Sequence, residues 1–378
     1  MRKKVLPMGK RIYYLDNLRT CLVFAGICFA ALGNFRPFPL LHPYVPSPIN
    51  SLEGVAVDFL YNLAIVFIMP ALFFISAYFG ASSLRIHMIR PYFKSKWTRL
   101  GWPWLIGTVL LAPELLYLAS QSCGSHGDGP AFSLIHPPFW SAYFQSPFFF
   151  IGLLLLFHLA LMGAKKWRRS LFQRAAAAPP SAGILAGFYA LQLVVAAAFF
   201  GLLLAAHRAP DFWVPLYVLY LAATCGLYFC FGVYAFRHRW FTAGGYVPSA
   251  VHIVGAALLL GVVVASSYIT AGISVFISGT LFPLLLFFSI LQLPLLLALL
   301  AAFAKWGDKE TNKTKLAAGL AYPLYVVSDT LIQNTAYFLQ PLSLGAPLKC
   351  ILTLALSFLY GYMLCKYALR HLPCFKTR

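Results

Sequence analysis

The 378-residue chain is 61% hydrophobic and only 10% charged, whereas soluble globular domains carry about 25% charged residues. That apolar excess excludes a water-soluble fold with one core and indicates a polytopic membrane protein, in which 17% aromatic residues suit the membrane–water interfaces. The net charge of +20 does not indicate nucleic acid, because the basic residues lie in short clusters between apolar runs and not along one soluble face.

A hydrocarbon core of about 30 Å needs about 20 apolar helical residues. Ten runs have that character: 15–34, 55–82, 100–119, 147–164, 182–205, 213–235, 247–268, 273–303, 316–338 and 347–367. They are continuous rather than alternating, which excludes the strands of a barrel. The sequence therefore predicts an all-α polytopic membrane helical bundle of ten transmembrane helices. It is read as one transmembrane domain over residues 1–378. The first run has the length of a span and no small-residue cleavage site follows it, so it is read as a retained helix.

Charge within these runs is scarce, and each instance is a functional candidate, because an ionised group at mid-bilayer costs about 2.5–3.5 kcal/mol or more. The first span opens with Asp16 and Arg19, three apart and so on one helix face. They form an interfacial ion pair, or Arg19 turns inward to an anion, for which its planar guanidinium is suited. Asp58 falls near the outer end of the second span. A basic loop with Lys94, Lys96 and Arg99 precedes the third, and is either a lipid-headgroup anchor or a cradle for a phosphorylated donor. Glu114 follows Pro113 in the third span, His158 stands in an apolar stretch of the fourth, and His252 lies near the inner end of the seventh. Asp329 follows Ser328 in the ninth. For each of these, a structural hydrogen bond to a neighbouring helix and a catalytic role both remain open.

The connections between spans give an orientation. With the N-terminus inside and ten alternating spans, all 29 Lys and Arg except Arg19, Arg36, Arg208 and Lys349 fall in inner segments. The positive-inside rule then places both termini in the cytoplasm. The proline-rich segment 35–54 and the segment 120–146 become the large external loops. Most of the eight cysteines lie in or beside apolar runs, as small hydrophobes, while Cys123 falls in an external loop without a disulfide framework. The histidines are scattered, no metal-ligand cluster is present, and no phosphate-binding or nucleophile-elbow motif occurs.

Three stretches carry a resemblance. RIYYLDNLR at 11–19, FIMPALFFISAYF at 67–79 and KSKWTRLGWPW at 94–104 resemble the membrane acyltransferase-3 family, including the succinyltransferase-like glucan biosynthesis C proteins. AYPLYVVSDTLI at 321–332 is similar to the family's late helix. The resemblance implies an O-acyltransferase that moves an acyl group from cytoplasmic acyl-CoA to an extracytoplasmic carbohydrate or glycolipid, without a metal. It also implies placement in a bacterial inner membrane. In such proteins the first helix carries an Arg followed, after ten residues, by a His. Arg19 matches the Arg, and Ala30 occupies the His position. The family's Arg-x-x-Arg pair corresponds to Lys96 and Arg99, and two further family histidines correspond to Ser146 and Ser328. The resemblance thus implies Arg19, Lys96 and Arg99 as the acyl-CoA site. Glu114, Asp329 and His158 are then the intramembrane groups with the chemistry to replace the missing base. The alternative is a catalytically degenerate member acting as a transporter or assembly partner.

Overall fold

Backbone groups in a bilayer have no water to bond, so a continuous apolar run satisfies its own N–H and C=O groups by closing into a helix. The computed structural model describes residues 12–35, 52–122, 143–144, 146–173, 175, 177–205, 213–242, 244–274 and 282–375. These residues form helices and connecting turns, with no strand among them. The predicted external loops, Cys123, Arg36 and Arg208 fall wholly or mostly outside the described residues, as does the side chain of Asp58.

Each predicted run overlaps a helical segment. In chain order these are α1 (Tyr13–Gly33), α2 (Leu52–Ile86), a composite of α3 (Ile89–Lys96), α4 (Trp102–Ile106) and α5 (Ala112–Ser122), then α6 (Pro147–Trp167), α7 (Ala182–Ala205), α8 (Trp213–Arg237), α9 (Val251–Ser274), α10 (Phe282–Trp306), α11 (Asn312–Leu339) and α12 (Ala346–Tyr367). Among the described residues, seven are long and apolar enough to cross a membrane: α1, α2, α6, α7, α8, α10 and α12. The protein is therefore an integral membrane protein. The predicted seventh span is the 24-residue helix α9, apolar over its described side chains Val251–Ser266. The other two predicted spans differ for local reasons. Polar residues are spread through α11, including Ser328, Asp329, Gln333 and Asn334. The third span is not the uninterrupted helix expected over 100–119. Helix already begins at Ile89, in the basic segment ahead of the span, and is broken by wide π turns at Trp97–Gly101 and Gly107–Leu111.

At the centre lies α2, whose Phe73, Phe74, Ile75 and Ala77 are fully buried. It packs against α1, α8 and α10. The Phe73 ring meets Phe150 of α6 edge-on at 5.0 Å and Phe157 at 5.4 Å. Where α8 crosses α2, a Cβ at Gly232 would run into the Phe74 carbonyl, so a glycine lets the two backbones touch. Buried polar groups find partners across helices: Tyr228 of α8 donates to Gln192 of α7 at 2.7 Å, and Tyr220 meets Ser289 of α10 at 2.6 Å.

The helices that carry the predicted site residues are tied at their basic ends. Asn17 of α1 donates to the carbonyls of Gly307 (2.7 Å) and Lys309 (3.0 Å), fixing α1 to the turn between α10 and α11. The helix α11 begins with a reciprocal cap, in which Thr314 N–H donates to Thr311 Oγ1 at 3.1 Å and Thr311 N–H to Thr314 Oγ1 at 2.9 Å. Pro323 then removes the N–H that would have bonded the Gly319 carbonyl one turn earlier. Both residues border cavities.

Candidate functional site

Between α1, α2, α6 and α11 lie two adjoining cavities. The first, of ≈ 260 Å³, is bordered by Arg19, Ser76, Lys96, Arg99, Tyr322 and Phe375, among others. The second, of ≈ 80 Å³, is mostly apolar and is bordered by Gly26, Ala30, Ile68, Ser328 and Asp329, among others. Val23, Leu72, Phe150 and Tyr325 line both, so the cavities meet across a shared wall. Along α1 the order is Arg19, Val23, Ala30, and eleven residues of α-helix from Arg19 to Ala30 rise about 16 Å. Along α11 the same order runs Tyr322, Tyr325, Asp329.

The first cavity is cationic. Arg19 sits beside Asp16 at 3.8 Å, and its side chain is 46% exposed. Arg19 thus pairs with Asp16 and also borders the cavity. The π turn brings Lys96 and Arg99 to the same wall. Such wide turns recur at functional positions because they re-aim side chains within a helix. Tyr322 of α11 donates its hydroxyl to the Arg99 carbonyl, tying that turn to α11. Burial pushes the Lys96 ammonium down to about 7, with Arg19 and Arg99 adding repulsion.

Behind Lys96 stands His158, fully buried on α6. Its Nε2 lies 3.0 Å from Lys96 Nζ and 3.2 Å from Ser76 Oγ, and its Nδ1 lies 3.0 Å from Tyr92 Oη. Gly80 makes room for it, since a Cβ there would sit 2.7 Å from His158 Cε1. Both ring nitrogens are engaged, and the ring supports Lys96 from behind. His158 does not itself border either cavity.

The second cavity holds the positions that the sequence singled out for missing imidazoles. Ala30 and Ser328 both border it, and Asp329 stands next to them. Ser328 Oγ is committed to the Tyr325 carbonyl one turn back at 2.9 Å. Ser146 is buried and donates to the Tyr143 carbonyl at 2.6 Å, while its neighbour Pro147 borders the cavity. Glu114 is elsewhere. Its Oε1 accepts from Asn334 Nδ2 at 2.8 Å, linking α5 to α11, and it borders neither cavity. Among the described residues, no group of three or more His, Cys, Asp or Glu is placed to hold a metal.

The structure therefore gathers Arg19, Lys96 and Arg99 in one chamber and Ala30, Ser328 and Asp329 in the next. Sequence reasoning missed Ser76, Tyr322 and Tyr325 at the first chamber, and Tyr92 behind it against His158. Ser76 was legible as the single aliphatic hydroxyl inside FIMPALFFISAYF. The return of Cys374 and Phe375 to the chamber wall had no sequence signal.

Against known proteins, the family model described as an acyltransferase domain, acyltransferase 3, matches residues 12–362. Neither the curated proteins nor the solved structures contain a match to the chain.

Proposed function

We propose, because the chain belongs to the acyltransferase-3 family, that this membrane acyltransferase takes its acyl group from acyl-CoA at the first chamber. It passes the group through the second chamber to a hydroxyl of an extracytoplasmic carbohydrate or glycolipid, in a bacterial inner membrane. The observation that carries the reading is the end-to-end contact of a cationic chamber with an apolar one that holds a single carboxylate among its described lining residues. Arg19, Lys96 and Arg99 supply the donor's phosphates with charge-assisted hydrogen bonds, the strongest class available to them. The thioester then extends past Val23 and Tyr325 toward Asp329.

Asp329 is assigned the role that the resemblance gives to a histidine at Ala30. Its carboxylate takes the proton of the acceptor hydroxyl as that oxygen attacks the thioester carbonyl. The C–O bond forms, the C–S bond breaks, and coenzyme A leaves as thiolate. The proton then passes from Asp329 to the thiolate or to water. His158 positions Lys96, and Glu114 holds α5 to α11.

The test is calorimetry of acyl-CoA on the detergent-purified protein, beside acyl-CoA-dependent release of free CoA in membranes. Arg19→Ala and Lys96→Ala/Arg99→Ala are expected to lose donor binding. Asp329→Asn is expected to keep donor binding and lose about 10²–10⁴-fold in release rate. A well-folded wild type that binds no acyl-CoA would overturn the reading in favour of a degenerate, non-enzymatic member. Unchanged turnover in Asp329→Asn would remove Asp329 from the mechanism.

A further inference from the structure

A third cavity, of ≈ 710 Å³, opens between the basic ends of α11 and α12. Lys315 comes from α11, Lys366 from α12, and Arg370 and His371 from the short 3₁₀ turn Leu369–His371 that follows. No carboxylate is among the described residues lining it. Glu310 lies nearby, 3.5 Å from Lys315 Nζ. Tyr362 offers an aromatic face, with Lys366 Nζ 5.9 Å from its ring centre.

Basic side chains at a helix end commonly serve only to anchor a membrane protein. Two features separate this cluster from an anchor. First, it is concave, and its volume lies within the range of about 300–1,000 Å³ usual for small-ligand sites. Second, it continues into the first chamber, because Gly319, Pro323 and Phe375 border both. Phe375 is held there against Tyr322, ring centres 5.7 Å apart.

The first chamber, at ≈ 260 Å³, is too small for a whole coenzyme A. That donor is long and bipolar: a thioester arm at one end, and an adenosine with a diphosphate and a 3′-phosphate at the other. We propose that the third cavity holds the adenosine and 3′-phosphate of the donor, with Lys366 and Arg370 on the 3′-phosphate and Tyr362 beside the purine. The diphosphate then passes Gly319 and Phe375 to Arg19, Lys96 and Arg99 of the first chamber, and the thioester arm runs on from there. This rests on the first chamber being the donor site.

The experiment compares CoA with 3′-dephospho-CoA, by calorimetry, on the full-length purified protein and on Lys366→Ala/Arg370→Ala. The wild type is expected to prefer CoA by about tenfold or more, the loss expected for one charge-assisted phosphate contact. The double variant is expected to bind both nucleotides with near-equal affinity. Lys366→Gln/Arg370→Gln, which keeps a polar stem, carries the same comparison if the alanine form does not fold. Equal binding of both nucleotides by the wild type, or a preference that survives in the variants, would overturn the proposal while leaving the donor chamber intact. Binding of neither nucleotide would instead remove the donor reading and this one with it. An anionic lipid headgroup offers the same phosphate chemistry. If phosphatidylglycerol in nanodiscs stabilises the wild type but not the variants, with no nucleotide preference, the cavity belongs to lipid and the proposal fails.

Discussion

Lys96 is the residue on which the donor chamber turns. Burial, with two guanidinium groups beside it, lowers this ammonium to about 7, where an exposed lysine keeps its proton to about 10.4. His158, Tyr92 and Ser76 face it from behind, and Arg19 and Arg99 flank it without titrating in the accessible range. Below pH 7 the group is a cation with protons to donate to phosphate; above it, the neutral amine gives up the charge. Donor binding must then take up a proton as pH rises. Affinity for acyl-CoA is expected to weaken between pH 7 and 9, by at most about tenfold per unit. Lys96→Arg stays protonated and is expected to flatten that profile. Calorimetry in buffers of differing ionisation enthalpy reads the proton uptake directly. A flat wild-type profile would mean that Lys96 keeps its charge throughout. The role of this lysine was legible in the sequence only as a basic spacing, Lys96-x-x-Arg99. Its depressed basicity was not, because it depends first on burial within the folded bundle and then on the approach of Arg19 and Arg99.

At the scale of elements, helix crossings rather than motifs decide whether the site exists. The α2, α3 and α6 helices converge at Gly80, where the His158 ring and the Tyr92 hydroxyl take the space of a side chain. Gly80→Ala would place a Cβ 2.7 Å from His158 Cε1 and 3.1 Å from Tyr92 Oη. Either α6 backs away or the ring leaves Lys96, and overpacking of this kind costs about 1–3 kcal/mol. The expected result is a lowered melting temperature together with weakened acyl-CoA binding. Gly163→Ala on the same helix as His158 meets nothing within 4 Å and serves as the control. It is expected to leave melting unchanged or raise it, since alanine favours helix by about 1 kcal/mol over glycine. A Gly80→Ala protein as stable as the wild type would show that the ring has room to move. The helices themselves were readable because twenty apolar residues in lipid have few alternatives. The exceptions were informative. The third predicted span hid two π turns, because a register shift inside a helix leaves hydrophobicity unchanged. The polar character of α11 hid behind its length, yet that helix lines all three cavities in order from Lys315 to Asp329.

For the whole molecule, the cavities and the charge distribution point the same way. The third and first cavities collect Lys315, Lys366, Arg370, Arg19, Lys96 and Arg99, all from segments that the positive-inside rule assigns to the cytoplasm or its boundary. The second cavity lies further along both α1 and α11 and borders no lysine or arginine among its described lining residues. For the donor proposed above, that order of cations sets the direction: its phosphates meet the basic ends and its acyl group points along α1 and α11 toward Asp329. Entry from that side requires the basic ends to be cytoplasmic, and cysteine chemistry tests that requirement. Cys374 borders the first cavity, whereas Cys123 falls in the predicted external loop outside the described residues. In single-cysteine variants retaining one or the other, a membrane-impermeant maleimide applied to cells with a permeable outer envelope is expected to label Cys123. It is expected to label Cys374 only after the inner membrane is opened, with acyl-CoA then slowing the reaction. Labelling of Cys374 in sealed cells would invert the orientation and, with it, the side from which the donor arrives.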